Sequence, residues 1–474
     1  MTMPVTLPLW LFVLILLFAA VTFASHFLFP SVRWYLRRRL ERAVGRLNSR
    51  LKRPIEPFKL ARRNDMIQRL VYDPDVTQAI VDYAARNNVR EDVAFENARK
   101  YAREIVPSFS AFAYFSFGTR VANWLANLLY DVRTGPHNAA IVDGIEQDAT
   151  LIYIMNHRSN MDYVLVTTLA AQSSALSYAV GEWARVWPLS RLIKAMGAYF
   201  IRRRSRGGLY RTVLARYVQM ATTGGVTQAI FPEGGLTLNG TVRPAKLGLL
   251  SYVVEGWKPG GRDVVFVPVA INYDRVLEDR VLIGAGARGD RRFRASKRMV
   301  LRSALRIIWQ RMRGRFRRYG TAAVVFAQPV RLSDYGDAPQ LADLGRDLMG
   351  RIKSAMPLLC VPMVARALLR SGAPLNDGAL VGELHSMQQS GGADIPLIDD
   401  IEAETARACA TLMARGAIAK GAEGWTVAEG GAPLLAYYAA SIAHLLPGGA
   451  PETVQADPSE DAALAPDISA PAGS

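Results

Sequence analysis

The chain has 474 residues, half of them hydrophobic, and carries 58 Lys and Arg against 41 Asp and Glu, a net charge of +17. That length supports two or three domains with a substantial core, and the excess of cations points to an anionic partner, nucleic acid or phospholipid. Two cysteines, Cys360 and Cys409, exclude a disulfide framework and suit a reducing compartment, and five scattered histidines (26, 137, 157, 385 and 444) lack metal-ligand spacing.

The chain opens on "VTLPLWLFVLILLFAAVTFASHFLF", 25 residues without a formal charge. As a helix it would cross the ~30 Å hydrocarbon layer, and it lacks the basic start and short core of a cleaved signal peptide. Residues 1–30 are therefore expected to be a single transmembrane anchor, with a buried core helix as the alternative reading. The arginine-dense "SVRWYLRRRLERAVGRLNSRLKRP" follows at once, so the positive-inside rule puts everything after it on the cytoplasmic side of the cell (inner) membrane. Residues 31–135 read as a basic helical region, with apolar residues at three-to-four spacing in "DVTQAIVDYAARNNV".

From 136 to 335 the texture changes. Short β-rich runs recur ("AAIVDG", "TLIYIMN", "GAYFI", "TQAIFP", "VVFVPVAI", "TAAVVFAQPV"), with helical stretches such as "WPLSRLIKAM" and "GLYRTVLARYVQMATT" between them. This alternation predicts an α/β domain, a largely parallel mixed sheet flanked by helices. Within it, "RRFRASKRMVLRSALRIIWQRMRGRFRRYG" (291–320) sets Leu301, Leu305, Ile308, Met312 and Phe316 on one helical face among arginines, a helix suited to an anionic bilayer or to packing on the core. With no nucleic-acid module in the chain, anionic membrane lipids are the expected partner and nucleic acid is not. Residues 336–447 return to helical spacing. Residues 448–474, rich in Ala, Pro and acid and free of Lys and Arg, are expected to be a disordered acidic tail.

Four stretches of the α/β domain can carry chemistry. In "YIMNHRSNMDYVL" a buried strand ends in a turn, with Ser159 or Asn160 placed to cap a helix starting near Met161. His157 then lies in the loop and Asp162 in the first helical turn, where the carboxylate can reach back to fix one imidazole tautomer and leave the other nitrogen for a proton. "GAYFIRRRSRGG" ends a strand in Arg202, Arg203 and Arg204, which can grip a phosphate or form a solvated charge cluster. "IFPEGGLTLNG" follows a strand with Glu233, Gly234 and Gly235, where the glycines admit close backbone approach; a tight turn with a capping acid reads the same way. "VFVPVAINYDRVLE" sets Pro268 inside an apolar strand, which predicts a sheet edge or bulge. A fifth match, "GAGARG" at 284–289, has no acid about twenty residues on and does not predict a dinucleotide site.

In this order the four blocks resemble the glycerolipid acyltransferase family, whose pattern is His-x4-Asp, Gly-x-x-Phe-Ile-x-Arg, Glu-Gly-Gly and a proline-containing strand. The resemblance covers about residues 150–280. "HRSNMDY", "FIRRR", "EGG" and "VPVAINYD" look most like the glycerol-3-phosphate and dihydroxyacetone-phosphate branch; the lysophosphatidate branch more often has Glu-Gly-Thr-Arg-Ser. This chain departs from both at Leu236, Thr237 and Leu238, where an arginine and a serine are usual, so that one phosphate contact is missing or comes from elsewhere, such as Arg243 or Lys246.

The resemblance implies an O-acyltransferase of phospholipid biosynthesis. It would move a fatty acyl group from acyl-CoA or acyl-carrier protein, as co-substrate, to the hydroxyl of glycerol-3-phosphate, with no cofactor and no metal. His157 is implied as general base and Asp162 as its orienting acid. Arg158 and Ser159 join Arg202, Arg203 and Arg204 in substrate binding; Glu233, Gly234 and Gly235 shape the acceptor site, and Pro268 the acyl side. The alternatives are acylation of lysophosphatidate or another lysolipid, or a thioesterase or lipid hydrolase turning the same pair on water. The absence of Gly-x-Ser-x-Gly counts against a serine hydrolase.

Overall fold

The computed structural model describes residues 8–19, 51–170, 174–181, 189–202, 207–289, 318–391 and 398–448, with isolated positions at 38–49 and 309–313. Two units divide it, Met1–Pro54 and Ile55–Ser474. In the first, residues 9–19 are helical, with Leu9, Trp10, Phe12, Leu14 and Phe18 more than half exposed. Eleven helical residues span only about 16 Å, and among the described residues no helix is long and apolar enough to cross a membrane. The remainder of the expected anchor, most of the basic block at 291–320 and the tail from 449 lie outside the described residues.

Eight strands of the second unit form one sheet: β1 (Asp131–Thr134), β2 (Thr150–Met155), β3 (Ser177–Val180), β4 (Tyr199–Phe200), β5 (Gln228–Ile230), β6 (Val264–Tyr273), β7 (Thr321–Phe326) and β8 (Val330–Arg331). Their order is β1-β7-β6-β2-β5-β3-β4, with β8 beside β6. Strands β6, β2, β5, β3 and β4 run parallel, while β7 and β8 lie antiparallel to β6. A parallel sheet is covered on both faces, so its strands read as unbroken apolar runs; all ten residues of β6 and all six of β2 are buried.

Alternation along β2 separates the two faces. Ile152 and Ile154 join a core with Ala94, Ala98 and Ala102 from the N-terminal helices and Val213 and Val218 from helix Gly208–Thr223. Leu151, Tyr153 and Met155 join the other, with Leu165 and the C-terminal residues Met363, Leu384, Leu412 and Tyr438. The helical stretches before and after the α/β segment both help to cover its sheet, Ala126 and Leu129 joining the C-terminal residues on one face and Leu344, Leu348 and Ile352 joining the N-terminal helices on the other. Helix Pro74–Asn87 shows why they form: Asp73 caps the backbone of Asp75, Pro74 opens the first turn, and Asn88 closes it at φ 50° in the left-handed region.

Four features differ from the sequence expectations. "AAIVDG" is helix Asn138–Asp143 rather than a strand, its start pinned where the Asn138 side chain bridges Val324 O and Phe326 N of β7. Pro268 sits in a central strand instead of an edge, opposite Ile154 of β2. Its carbonyl accepts from Ala327 N, so the side lacking an N–H faces the gap between β7 and β8, where no ladder bond is lost. The polar β1 was not expected; it is a short edge strand paired only to β7. The C-terminal helices include an antiparallel pair, β9 (Ile418–Lys420) with β10 (Trp425–Val427).

Candidate active site

The loop after β2 is fastened before it turns. Asn156 is buried and exchanges two hydrogen bonds with the backbone of Ile271 on β6, at 2.9 and 2.8 Å. Next to it, the His157 N–H donates to Glu233 at 3.0 Å and its carbonyl accepts from Thr237 N at 3.0 Å, so the loop after β5 holds the histidine backbone from both sides. Helix Met161–Ala170 then begins, with the Ser159 hydroxyl accepting from Met161 N at 3.1 Å.

His157 and Asp162 meet. Asp162 Oδ2 accepts from His157 Nδ1 at 2.9 Å, and also from the backbone N–H groups of Arg158 at 2.8 Å and Ser159 at 3.0 Å. Oδ1 accepts from the Tyr273 hydroxyl at 2.5 Å. The imidazole is thereby held through Nδ1, leaving Nε2 as the nitrogen able to exchange a proton. Phe231 lies 4.2 Å from its ring centroid and Tyr163 stands edge-on at 5.4 Å, and His157 is only 2 % exposed.

Around this pair two buried carboxylates act as braces. Glu233 bonds His157 N and pairs with Arg243 at 3.3 Å, while Arg243 also donates to the carbonyls of Gly235 and Leu236. Burial raises the Glu233 carboxyl above its ordinary range, and Arg243 and His157 oppose that rise. Glu278 accepts from Ser159 Oγ at 2.8 Å and from the Asn160 side chain at 3.0 Å, and burial raises it too. Gly234 has φ +69°, and a Cβ there would come within 2.8 Å of the Lys246 side chain, so the glycine is required twice over.

Arg158 is 1 % exposed; its Nη1 donates to Gly240 O at 2.8 Å and its guanidinium lies 5.3 Å from the Tyr437 ring centroid. Nε and Nη2 have no hydrogen-bond partner among the described residues, a costly state for buried donors. Arg202 stands differently. It grips Glu104 with Nε and Nη2, at 2.9 and 2.6 Å, over the rings of Tyr101 and Tyr210. Two of its donors are therefore spent on an internal carboxylate. Arg203 and Arg204 lie outside the described residues.

Sequence reasoning missed Tyr273, Glu278, Phe231 and Tyr437, and offered Arg243 only as an alternative contact. Tyr273 and Glu278 occur in the quoted proline-containing stretch, but no spacing links them to residues more than a hundred positions away.

Residues 139–272 match the sequence model of a family described as Acyltransferase. The glycerol-3-phosphate acyltransferase of Pseudomonas syringae pv. tomato is 29 % identical over 288 residues, and those of Pseudomonas fluorescens strains Pf0-1 and SBW25 are 30 % and 31 % identical over 285. Each match covers 59 % of this chain but 33 % of the relative, so the chain spans about a third of the length of these curated relatives. The crystal structure of a 1-acyl-sn-glycerophosphate acyltransferase from Thermotoga maritima aligns over 58 % of this chain and 92 % of its own, with 19 % identity and a TM-score of 0.31. Residues 139–272, which hold the histidine–aspartate pair and its glutamate brace, are thus similar to an acyltransferase family, and the wider match is to curated glycerol-3-phosphate acyltransferases.

Proposed function

We propose that this chain transfers a fatty acyl group from a thioester, acyl-CoA or acyl-carrier protein, to a hydroxyl of glycerol-3-phosphate. The carrying observation is the Asp162–His157 contact at 2.9 Å, which commits Nδ1 and frees Nε2. Nε2 takes the hydroxyl proton as the alcohol oxygen attacks the thioester carbonyl; the tetrahedral intermediate collapses, the C–S bond breaks, and the thiolate leaves with that proton. General-base help of this kind contributes about 10²–10⁴ in rate. The unpartnered Nε and Nη2 of Arg158, adjacent in sequence to the base, support a role in holding the acceptor's phosphate or the developing oxyanion. Arg202, Arg203 and Arg204 remain proposed phosphate ligands, with Arg202 contributing whatever Glu104 leaves free. His157 is only 2 % exposed, with Phe231 against its ring, so substrate entry requires local movement around the imidazole.

Membrane attachment is part of the same proposal. The exposed apolar side chains of residues 9–19 and the arginines that follow support an N-terminal anchor on anionic lipid, with the catalytic residues on the cytoplasmic side of the cell membrane. Purified protein given labelled acyl-CoA and glycerol-3-phosphate is expected to form lysophosphatidate, and His157→Ala to abolish the product in a protein that still unfolds cooperatively. Free fatty acid released at a rate independent of acceptor would instead establish a thioesterase, and preference for lysophosphatidate would reassign the acceptor.

A further inference from the structure

A cavity of about 250 Å³ lies away from the histidine–aspartate pair. Val226, just before β5, and Ser177, the first residue of β3, line it. His157 and Glu233 follow the opposite, C-terminal ends of β2 and β5. The cavity therefore belongs to the other end of the sheet, under the N-terminal helices, and plays no part in the acyl transfer described above.

Its lining is two-sided in chemistry. Lys59, Arg62 and Arg63 contribute three basic side chains, and no lining residue is acidic. Phe58, Met66 and Phe109 contribute apolar surface. Lys59 Nζ donates to Ala175 O at 2.6 Å and stands 4.7 Å from the Phe109 ring centroid, and no carboxylate pairs with it among the described residues. Burial without a counter-ion holds its amine well below the ordinary lysine value, and an anion bound beside it would favour the charged form. The helix Arg63–Val71 starts at the same place, with no side chain capping its first N–H groups. A cationic recess of this kind, floored by aromatic and aliphatic groups, is complementary to an anion that carries an apolar chain.

We propose that this cavity binds the head of a single-chain anionic amphiphile, a carboxylate or phosphate monoester, with Lys59 and Arg62 on the anion and the first carbons of the chain against Phe58 and Phe109. Its volume is below the ~300–1,000 Å³ usual for drug-sized ligands, which excludes the nucleotide of an acyl-CoA and leaves a head group with the start of its tail.

The test is titration calorimetry on the full chain with decyl phosphate and decanoate below their micellar concentrations, against inorganic phosphate and decanol. Both amphiphiles are expected to bind, and each comparator to bind at least about tenfold more weakly, since anion and chain each contribute a term of this order. Lys59→Met removes the charge while keeping the aliphatic stem, and is expected to weaken decyl phosphate at least about tenfold. Ser108→Trp, at an exposed position on the rim, plugs the cavity without entering the core and is expected to do the same. His157→Ala is expected to leave this binding unchanged. Equal affinity in wild type, Lys59→Met and Ser108→Trp overturns the proposal. So does decanol binding as well as decyl phosphate, or inorganic phosphate binding as well as either amphiphile. A carboxylate source and a phosphate source for the natural ligand are separated by the ratio of decanoate to decyl phosphate affinity.

Discussion

Asp162 accepts four hydrogen bonds, from His157, two backbone N–H groups and Tyr273, so its removal affects both orientation and fold. Asp162→Asn keeps the size but places an amide where an acceptor is needed, and the imidazole loses its partner for the tautomer that exposes Nε2. The acyl-transfer rate is expected to fall about 10²–10⁴-fold, read as kcat at saturating acyl donor. Tyr273→Phe deletes one donor only, and is expected to cost about 1 kcal/mol in urea unfolding with a smaller loss of rate than Asp162→Asn. A rate loss as large as that of Asp162→Asn would show that the tyrosine does more than position the acid. Glu278 carries a pH signature. Burial is the largest influence on it and raises its carboxyl above 4.5. The folded protein therefore keeps that proton to higher pH than the unfolded chain does. The stability this contributes is complete below 4.5 and is lost as pH rises through the folded value. Glu278→Gln keeps one oxygen to accept from Asn160 and cannot titrate, so its unfolding free energy is expected to vary less with pH above 4.5 than that of the wild type.

Among the elements, the N-terminal helices show how little space the fold leaves. Helix Glu91–Ile105 turns Ala94, Ala98 and Ala102, all 0 % exposed, toward the sheet cover. Alanines four apart make one narrow stripe, which lets neighbouring helices approach closely. Ala98→Leu adds three carbons to a site without room and is expected to cost about 1–3 kcal/mol, measured as a lower Tm, without altering the Asp162–His157 geometry. Glu104 on the same helix explains why Arg202 cannot be read as a free phosphate ligand from its sequence block. Three consecutive arginines after a strand look alike on paper. Their uses diverge because a helix ninety-eight residues earlier brings a carboxylate to the first of them.

At the scale of the whole molecule, the terminal regions are legible as helical but not as what they do. Three-to-four spacing identifies an apolar face, yet says nothing of which sheet face it covers; that is settled by Ile152 and Ile154 facing one cover and Leu151 and Tyr153 the other. The proposed membrane attachment is tested on the full chain. Deleting residues 1–33 is expected to move the protein from the membrane pellet to the supernatant after high-salt washing, and pellet retention would show that another surface anchors it.

Sequence alone determined the α/β alternation, the strand–loop position of His157 and the reach of Asp162 back to it, because these depend on contacts within a few residues and on periodicities of two and 3.6. It also placed Glu233 on a strand-end loop, since proline and glycine constrain the backbone locally. Only the tertiary structure decided that Glu233 holds the His157 backbone, that Tyr273 and Glu278 brace the loop, that Arg202 is engaged by Glu104 and that Pro268 lies in a central strand. Each of these joins residues brought together by the order of strands in the sheet, and strand order is set by the summed burial of both faces rather than by any local pattern.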